Sequence, residues 1–471
     1  MSSRVACEIR RDGDNTNNPG DGDLAGHTQF VMGELRIPFN VVDEAFAYLD
    51  NVGSPPTVQL ELRLSNHVDI DRLWEAIHDS LVRHPLASAR RAPWTAADTG
   101  FEWVVDERVQ VEPLALRRCR DDDRAYVSEE FQGTAIPIDV SPAMRFLLAR
   151  TPGGDIVLAA AHHAASDGIG TLRLMTSIAR AYADRPDPVP DIDPVASHTI
   201  TAETGTNWRL GLPIDPADDA RRLARIAIPP ARVAVDGGSN RPGYAMVFHR
   251  APIGPLVAAP LRAASNATVN DILLAALHLG IDRWNTEHRQ RSGLIAIQMP
   301  MNARPSDRPK EVVANLVFSE RTTTIERERA DRASTVAAVA EQTRRAKQRG
   351  PFISIPSFNL AGVPTPIWWR WAIASALPFT AARLADTAVL SNLGRFDPSD
   401  LSFGEELPIS ELWFSPPAGG PTGVNVGAVT LGNDLFLVFR YTHPQFDRDG
   451  AKRFAATVLA ELDAVCGAEG R

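Results

Sequence analysis

One run of residues restricts the fold more than any other. The hydrophobic segment from Ile156 to Ala161 continues without a break into His162-His163-Ala164-Ala165-Ser166-Asp167-Gly168, and an apolar helical pattern of Ile169, Leu172, Leu174, Met175 and Ile178 follows at once. Met144 to Ala149 reads as a partner strand, joined through Thr151, Pro152, Gly153 and Gly154, residues that supply turn chemistry. A strand that ends in two histidines and feeds a helix needs a sheet for that helix to cover. The histidines therefore occupy a strand-to-helix junction, where rigid flanks position side chains. A fainter echo lies near the other end: Tyr441-Thr442-His443-Pro444-Gln445-Phe446-Asp447 also sits between a strand pattern and a helix pattern, with His and Asp again four apart. Internal duplication is one account of the echo, and chance in so short a window is the other.

The remaining patterns fill in two halves. Alternation of Val58, Leu60, Leu62 and Leu64 predicts a half-buried strand. Asp69 is placed to cap the next helix, in which Ile70, Leu73, Trp74, Ile77 and Leu81 recur at helical spacing until Pro85. Helices are expected over 169–184, 269–284, 327–347 and 450–465, and strands over 294–299, 388–391, 424–431 and 435–441. Residues 10–23 carry no apolar side chain before Leu24, so 1–25 reads as a disordered arm. Residues 191–243, dense in Pro and Gly, read as a crossover linker with a short helix near 218–227. The expectation is a mixed α/β chain with comparable halves at 26–190 and 244–471.

Charge and composition remove several function classes. With 49 basic against 58 acidic residues the formal charge is -9, which argues against a nucleic-acid partner. No apolar run reaches the ~20 residues of a membrane span, and no signal-peptide core follows the first basic residue, so a cytoplasmic protein is expected. Cys7, Cys119 and Cys466 give neither a disulfide framework nor a CxxC ligand pair. Lys310, Lys347 and Lys452 are the only lysines, so Schiff-base chemistry has few candidates.

The histidine pair carries the chemistry. A neutral imidazole can take a proton from a hydroxyl or amine as it attacks a carbonyl, then return it to a leaving group. Adjacent strand residues point opposite ways, so the two rings need not share a job. Asp167 is placed to orient an imidazole or pair with an arginine, and Gly168 to permit a turn that a side chain obstructs. An ordinary buried pair and a metal site are the competing readings. A zinc site needs three or four converging ligands, and no HExxH or clustered Cys/His set occurs. No GxSxG elbow supports a serine nucleophile, which leaves Ser166 a turn-capping role, and no phosphate loop is present.

The HHxxxDG pattern at 162–168 resembles the active-site motif of the acyl-thioester-dependent superfamily that includes chloramphenicol acetyltransferase-like enzymes, nonribosomal peptide condensation domains, polyketide-associated acyltransferases and the wax ester synthase group. Further stretches are similar in order: Asn270-Asp271-Ile272-Leu273-Leu274-Ala275-Ala276, then Met299-Pro300-Met301-Asn302-Ala303-Arg304-Pro305, then Leu390-Ser391-Asn392-Leu393-Gly394-Arg395. The resemblance spans roughly residues 35–466. It implies a V-shaped pair of chloramphenicol-acetyltransferase-like subdomains with an active-site channel between them. It further implies His163 as general base, His162 as structural neighbour, Asp167 paired with Arg304, and Asn302, Ser391 and Asn392 near the channel as candidate oxyanion donors. No tightly bound cofactor is implied. Coenzyme A or phosphopantetheine thioester is the co-substrate, brought as acyl-coenzyme A or by a trans-acting acyl carrier protein, and a small molecule is the acceptor. The plant-type DFGWG signature is absent, its nearest text being Ser402-Phe403-Gly404-Glu405-Glu406, and so is the Pro-Leu-Trp element of wax synthases. Acceptors from natural-product or cell-envelope chemistry stay closer than storage lipid.

Three secondary features have two readings each. Arg321, Arg327, Arg329, Arg332, Arg344, Arg345, Lys347 and Arg349 form a basic stretch that suits phosphates or an acidic carrier protein, with Arg344, Arg345 and Lys347 as the candidate contacts; a solvated helix face is the simpler account. Trp368, Trp369 and Trp371 with Phe379 suit an acyl channel wall or, on the other reading, a core or the cover of a subunit contact. His443 matches His163 in local pattern, and a structural role is expected of it.

Overall fold

In the computed structural model the described residues are 35–50, 55–106, 109–188, 193–198, 225, 228–305, 308–349, 365–372, 385–417 and 422–467. The arm at 1–25, most of the linker, the helix expected at 218–227 and Phe379 lie outside them. The first half contains β1 (Arg36–Pro38), α1 (Val41–Leu49), β2 (Thr57–Leu64), α2 (Ile70–Arg83), β3 (Ala89–Arg91), β4 (Glu102–Val105), β5 (Leu114–Arg118), α3 (Arg124–Gly133), β6 (Met144–Thr151), β7 (Gly154–His162) and α4 (Gly168–Tyr182). The second contains β8 (Tyr244–Pro252), α5 (Val269–Glu287), β9 (Ile295–Asn302), β10 (Val317–Thr324), α6 (Arg332–Arg349), β11 (Ala388–Phe396), β12 (Ile409–Ser415), β13 (Val424–Leu431), β14 (Asp434–Thr442) and α7 (Arg448–Val465). The mixed α/β class expected from the sequence is what forms.

Three sheets organise the described residues. One of five strands runs β12-β2-β7-β6-β5, one of six runs β10-β9-β11-β13-β14-β8, and a small one runs β1-β4-β3. The expected hairpin is present, with Met144 opposite Ala161 and Thr151 opposite Gly154. The sequence did not announce β12. Although it follows β11 in the chain, it leaves the second sheet and pairs antiparallel with β2, Leu412 opposite Leu62 and Ser415 opposite Gln59. It passes so close to β13 that a Cβ on Gly427 would stand 2.1 Å from the Phe414 carbonyl oxygen, a separation only glycine tolerates.

That exchange fuses the halves. One apolar cluster holds Val58, Leu60 and Leu62 of β2 and Leu172, Met175 and Ile178 of α4. It also takes in Leu412 and Phe414 of β12, Val429 of β13, and Phe436 and Val438 of β14. The opposite face of β2, expected to meet solvent, is also buried, because α3 lies across it with polar residues at successive turns. Arg124 Nε donates to Glu61 at 2.5 Å, Ser128 Oγ donates to Glu61 at 2.6 Å, and Gln132 Nε2 donates to the Thr57 carbonyl at 2.9 Å. Arg124 also donates to Glu411 of β12 at 2.6 Å and lies over the rings of Phe248 and Trp413. One guanidinium thereby joins strands from both halves through Nε and Nη1, while its buried Nη2 has no hydrogen-bond partner.

The echo noticed in the sequence is a repeated backbone device. After β7 the His162 carbonyl accepts from the N–H groups of Ala165 (2.9 Å) and Ser166 (3.2 Å); after β14 the Thr442 carbonyl accepts from Gln445 (3.0 Å) and Phe446 (3.2 Å). Asp167 and Asp447 then cap α4 and α7, accepting from Gly170 at 2.7 Å and Gly450 at 2.6 Å. Only the first copy carries two histidines.

Candidate active site

His162 closes β7, and its ring is fully buried. Its Nδ1 accepts the Ala164 N–H at 3.1 Å, which leaves the ring proton on Nε2, 3.5 Å from the Asp50 carboxylate. Nδ1 serves the turn, while Nε2 is buried without a hydrogen-bond partner.

His163 is placed differently. Its backbone N–H donates to the Pro56 carbonyl at 2.7 Å, and the residue as a whole is 7% exposed. Phe46 of α1 lies on the ring, the centroids 3.8 Å apart and the planes 5° from parallel. Nδ1 is sealed and has no hydrogen-bond partner. Burial pushes this imidazole down to about 4; its own backbone carbonyl and Asp167 act the other way, and His162 adds to the lowering. At neutral pH it is therefore an uncharged ring able to accept a proton.

Asp167 does not touch that ring. Arg304 reaches it with a two-pronged contact, Nη1 to Oδ2 at 2.8 Å and Nη2 to Oδ1 at 3.0 Å. The N–H of Gly170 completes Oδ1, and the N–H of Leu316 completes Oδ2 at 2.8 Å. Arg304 spends its other protons on the Val312 carbonyl (3.0 Å from Nε), the Ala314 carbonyl (2.8 Å from Nη2) and Asn302 Oδ1 (3.1 Å from Nη1). The buried pair is saturated, and it pins the turn after His163 to the strand-connecting loop of the second half. Ser166 lies in the same turn, its hydroxyl accepting from Thr171 Oγ1 at 3.1 Å, a capping contact rather than a nucleophile's.

Gly168 is needed for closeness, not for turn geometry. Its φ lies outside the left-handed region, but a Cβ there would stand 2.7 Å from Leu393 Cδ2 and 2.9 Å from Phe414 Cε2. This corrects the reason expected from sequence. Gly168→Ala gains up to ~1 kcal/mol of helix propensity and loses more, ~1–3 kcal/mol, to overpacking at the junction of the halves. A lowered melting temperature is the expected result, and an unchanged or raised one would show that Leu393 and Phe414 yield freely.

The candidate oxyanion donors separate on inspection. Asn302 Nδ2 donates to the Pro309 carbonyl at 2.7 Å and its Oδ1 braces Arg304, so the side chain belongs to the loop and not to a channel. Asn392 Nδ2 donates to Asn270 at 3.3 Å and its Oδ1 accepts from Gly394. Ser391, two residues before Leu393 on β11, is buried. Among the basic residues, Arg344 and Arg345 both pair with Glu341, Arg332 with Glu461, Arg321 with Asp386, and Arg329 is buried beside Asp282. Arg344 and Arg345 stay partly exposed, and Lys347 is exposed. Trp368, Trp369 and Trp371 are 54%, 47% and 56% exposed and form no core. His443, partly exposed, is lowered by burial and by Arg241 and Arg448. No group of three metal-ligating side chains occurs among the described residues, and no helix among them is long and apolar enough to cross a membrane.

Sequence reasoning missed α1. Val41–Leu49 carries a capping box at Asn40 and buries Asp43 and Glu44, a signal present in the text, but its contact with position 163 is remote in the chain.

The chain is 32% identical over 421 residues to the uncharacterized protein Rv2305 of Mycobacterium tuberculosis (strain ATCC 25618 / H37Rv), an alignment covering 88% of this chain and 96% of that protein. No family model matches the sequence. Among solved structures, the first condensation domain of the calcium-dependent antibiotic synthetase, in complex with a substrate analogue, superposes with a TM-score of 0.68 at 13% identity, covering 92% of this chain and 96% of that one. The epimerization domain from the third module of tyrocidine synthetase B superposes with a TM-score of 0.62 at 14% identity, covering 94% and 99%.

Proposed function

Since the chain belongs to one family with Rv2305 of Mycobacterium tuberculosis and has the condensation-domain fold, we propose that it is an acyltransferase or stand-alone condensation enzyme. In this reading it moves an acyl group from a coenzyme A or carrier-bound thioester to a hydroxyl of a small acceptor. The observation that carries the reading is a buried, uncharged His163 with no carboxylate on it, at a turn where both halves meet. As the acceptor oxygen attacks the thioester carbonyl, its proton passes to His163; the C–O bond forms, the C–S bond breaks, and the proton leaves with the thiol. No covalent enzyme intermediate is needed. General-base assistance supplies part of the acceleration, and orientation of the two substrates supplies more. Ser391 keeps a hydroxyl able to serve the developing oxyanion, whereas Asn302 is committed elsewhere. Such a reaction belongs in the cytoplasm, where coenzyme A and carrier thioesters are found.

Amide formation by the same base is the second reading, favoured by the likeness to a peptide synthetase condensation domain. A catalytically inactive interaction domain of the same fold is the third. A panel of coenzyme A and carrier-linked acyl thioesters, each assayed for thiol release with alcohol and with amine acceptors, separates them. The leading reading expects acceptor-dependent release with alcohols that His163→Ala abolishes. Release with amines alone would reassign the bond formed, and no release from any donor would favour the inactive domain.

A further inference from the structure

We propose that Phe46 is the positioning residue of the His163 imidazole: its ring, laid face to face on the histidine, fixes the plane in which Nε2 meets the incoming nucleophile. The inference rests on the reading of His163 as general base. In a hydrolase-type triad a carboxylate bonded to Nδ1 orients the base. Here Nδ1 has no partner, and all the bonding capacity of Asp167 goes to Arg304, Gly170 and Leu316. The backbone bond to Pro56 fixes the chain, and within the residue the backbone carbonyl acts on the imidazole. The contact that another residue lays on the ring is the 3.8 Å stack with Phe46.

The anchoring of α1 points the same way. A nine-residue helix has no stability of its own in water. Asn40 caps it and donates to the Asn315 carbonyl at 2.8 Å, beside the loop that holds Asp167. Asp43, fully buried, accepts from Trp103 Nε1 at 3.0 Å and pairs with His198 of the short helix Pro194–His198. Glu44 pairs with buried Arg370 at 2.7 Å and accepts from Tyr48 at 2.5 Å, while Arg370 also donates to the Thr99 carbonyl. A buried ion pair, Glu44 with Arg370, and a buried carboxylate–imidazole contact, Asp43 with His198, thus hold a short helix in one pose from distant parts of the chain, although burying such groups is costly. The side chain that this pose delivers to the motif is Phe46.

The test compares Phe46→Ala, Phe46→Leu and Phe46→Tyr with His163→Ala in the full chain, with kcat, KM, pH profile and melting temperature measured for each. The expected result for Phe46→Ala is a ~10- to 100-fold loss in kcat, the scale of a small misplacement of a reacting group, with KM within about twofold. Phe46→Leu restores melting and not kcat, because it fills space without a plane; Phe46→Tyr restores most of kcat. The titratable and charged groups around the ring are His162 beside it and Asp167 with Arg304 across the turn, with Asp50 beyond His162, while α1 turns Asp43 and Glu44 toward His198 and Arg370. None changes in these variants. The acid limb should therefore move from about 4 toward the ordinary histidine value of ~6.5 in Phe46→Ala, as water reaches the imidazole. Should Phe46→Ala fail to fold, Phe46→Leu and an NMR titration of its His163 ring decide the matter. Wild-type kcat and acid limb in Phe46→Leu would overturn the proposal and leave the base intact. Activity surviving in His163→Ala would instead remove the base, a result that no Phe46 variant can imitate.

Discussion

His163→Ala is expected to lower kcat by ~10²- to 10⁴-fold, the range of general-base assistance, while the protein stays folded. The contrast with its neighbour makes the test sharp. His162 accepts the Ala164 N–H and stands beside Asp50, so His162→Ala unties the turn and should cost more in melting temperature than in the chemical step at low temperature. Nδ1 of His163 holds no other residue, so His163→Ala should show the reverse order. The pH dependence follows from burial. With the ring pushed down to about 4, kcat/KM should stay level from pH 7 toward that value before falling. Stability has the same sign. A histidine whose folded value is depressed takes up its proton first in the unfolded chain, so stability is complete above ~6.5 and declines as pH falls toward about 4. His84 and His278, pushed down to about 3 by burial, extend the decline to lower pH. Parallel melting and rate profiles separate the two losses, and His163→Ala should lose less stability on acidification than the parent. A variant that keeps most of its turnover would exclude His163 as the base.

Much of the scaffold could be read in the text because it is written locally. The β6–β7 hairpin needs only two apolar runs and a Pro-Gly-Gly turn, and α2 needs only Asp69 and an apolar stripe, so both appear where the pattern puts them. The start of α6 moves from 327 to Arg332, since Glu326–Glu328 forms a separate turn. What could not be read depends on pairing between distant segments. Ile409–Ser415 has a bulged, mixed pattern, and nothing in it says that its partner is β2 rather than its sequence neighbour. Glu61 looks like a solvent-facing strand residue until Arg124 and Ser128 arrive from α3. The site divides along the same line. The motif and its capping aspartate are contiguous and visible, the Arg304 partner came from resemblance to a family, and Phe46 has no sequence signature because a stack is a matter of two planes and not of spacing.

Asp167→Ala and Arg304→Ala should each cost ~3–5 kcal/mol of stability, the scale for removing one member of a buried ion pair and leaving the other charged and alone. The geometry places both at the upper part of that range. Asp167→Ala strands a guanidinium with carbonyl oxygens for company and frees the Gly170 and Leu316 N–H groups, while Arg304→Ala strands a carboxylate and frees the Val312 and Ala314 carbonyls. Arg304→Lys should rescue little, because one ammonium with three protons replaces a planar fork whose every N–H is used. The double variant should lose less than the two singles added, since each partner's burial cost is then gone. Activity will fall in all of them, but through the turn and not through proton transfer. Measured well below the melting temperature, Asp167→Asn should therefore keep more of kcat than His163→Ala, with its acid limb shifted downward because a nearby negative charge that favours the protonated ring has gone. Equal losses in Asp167→Asn and His163→Ala, with melting unchanged, would put the carboxylate into the chemistry and take it out of the brace.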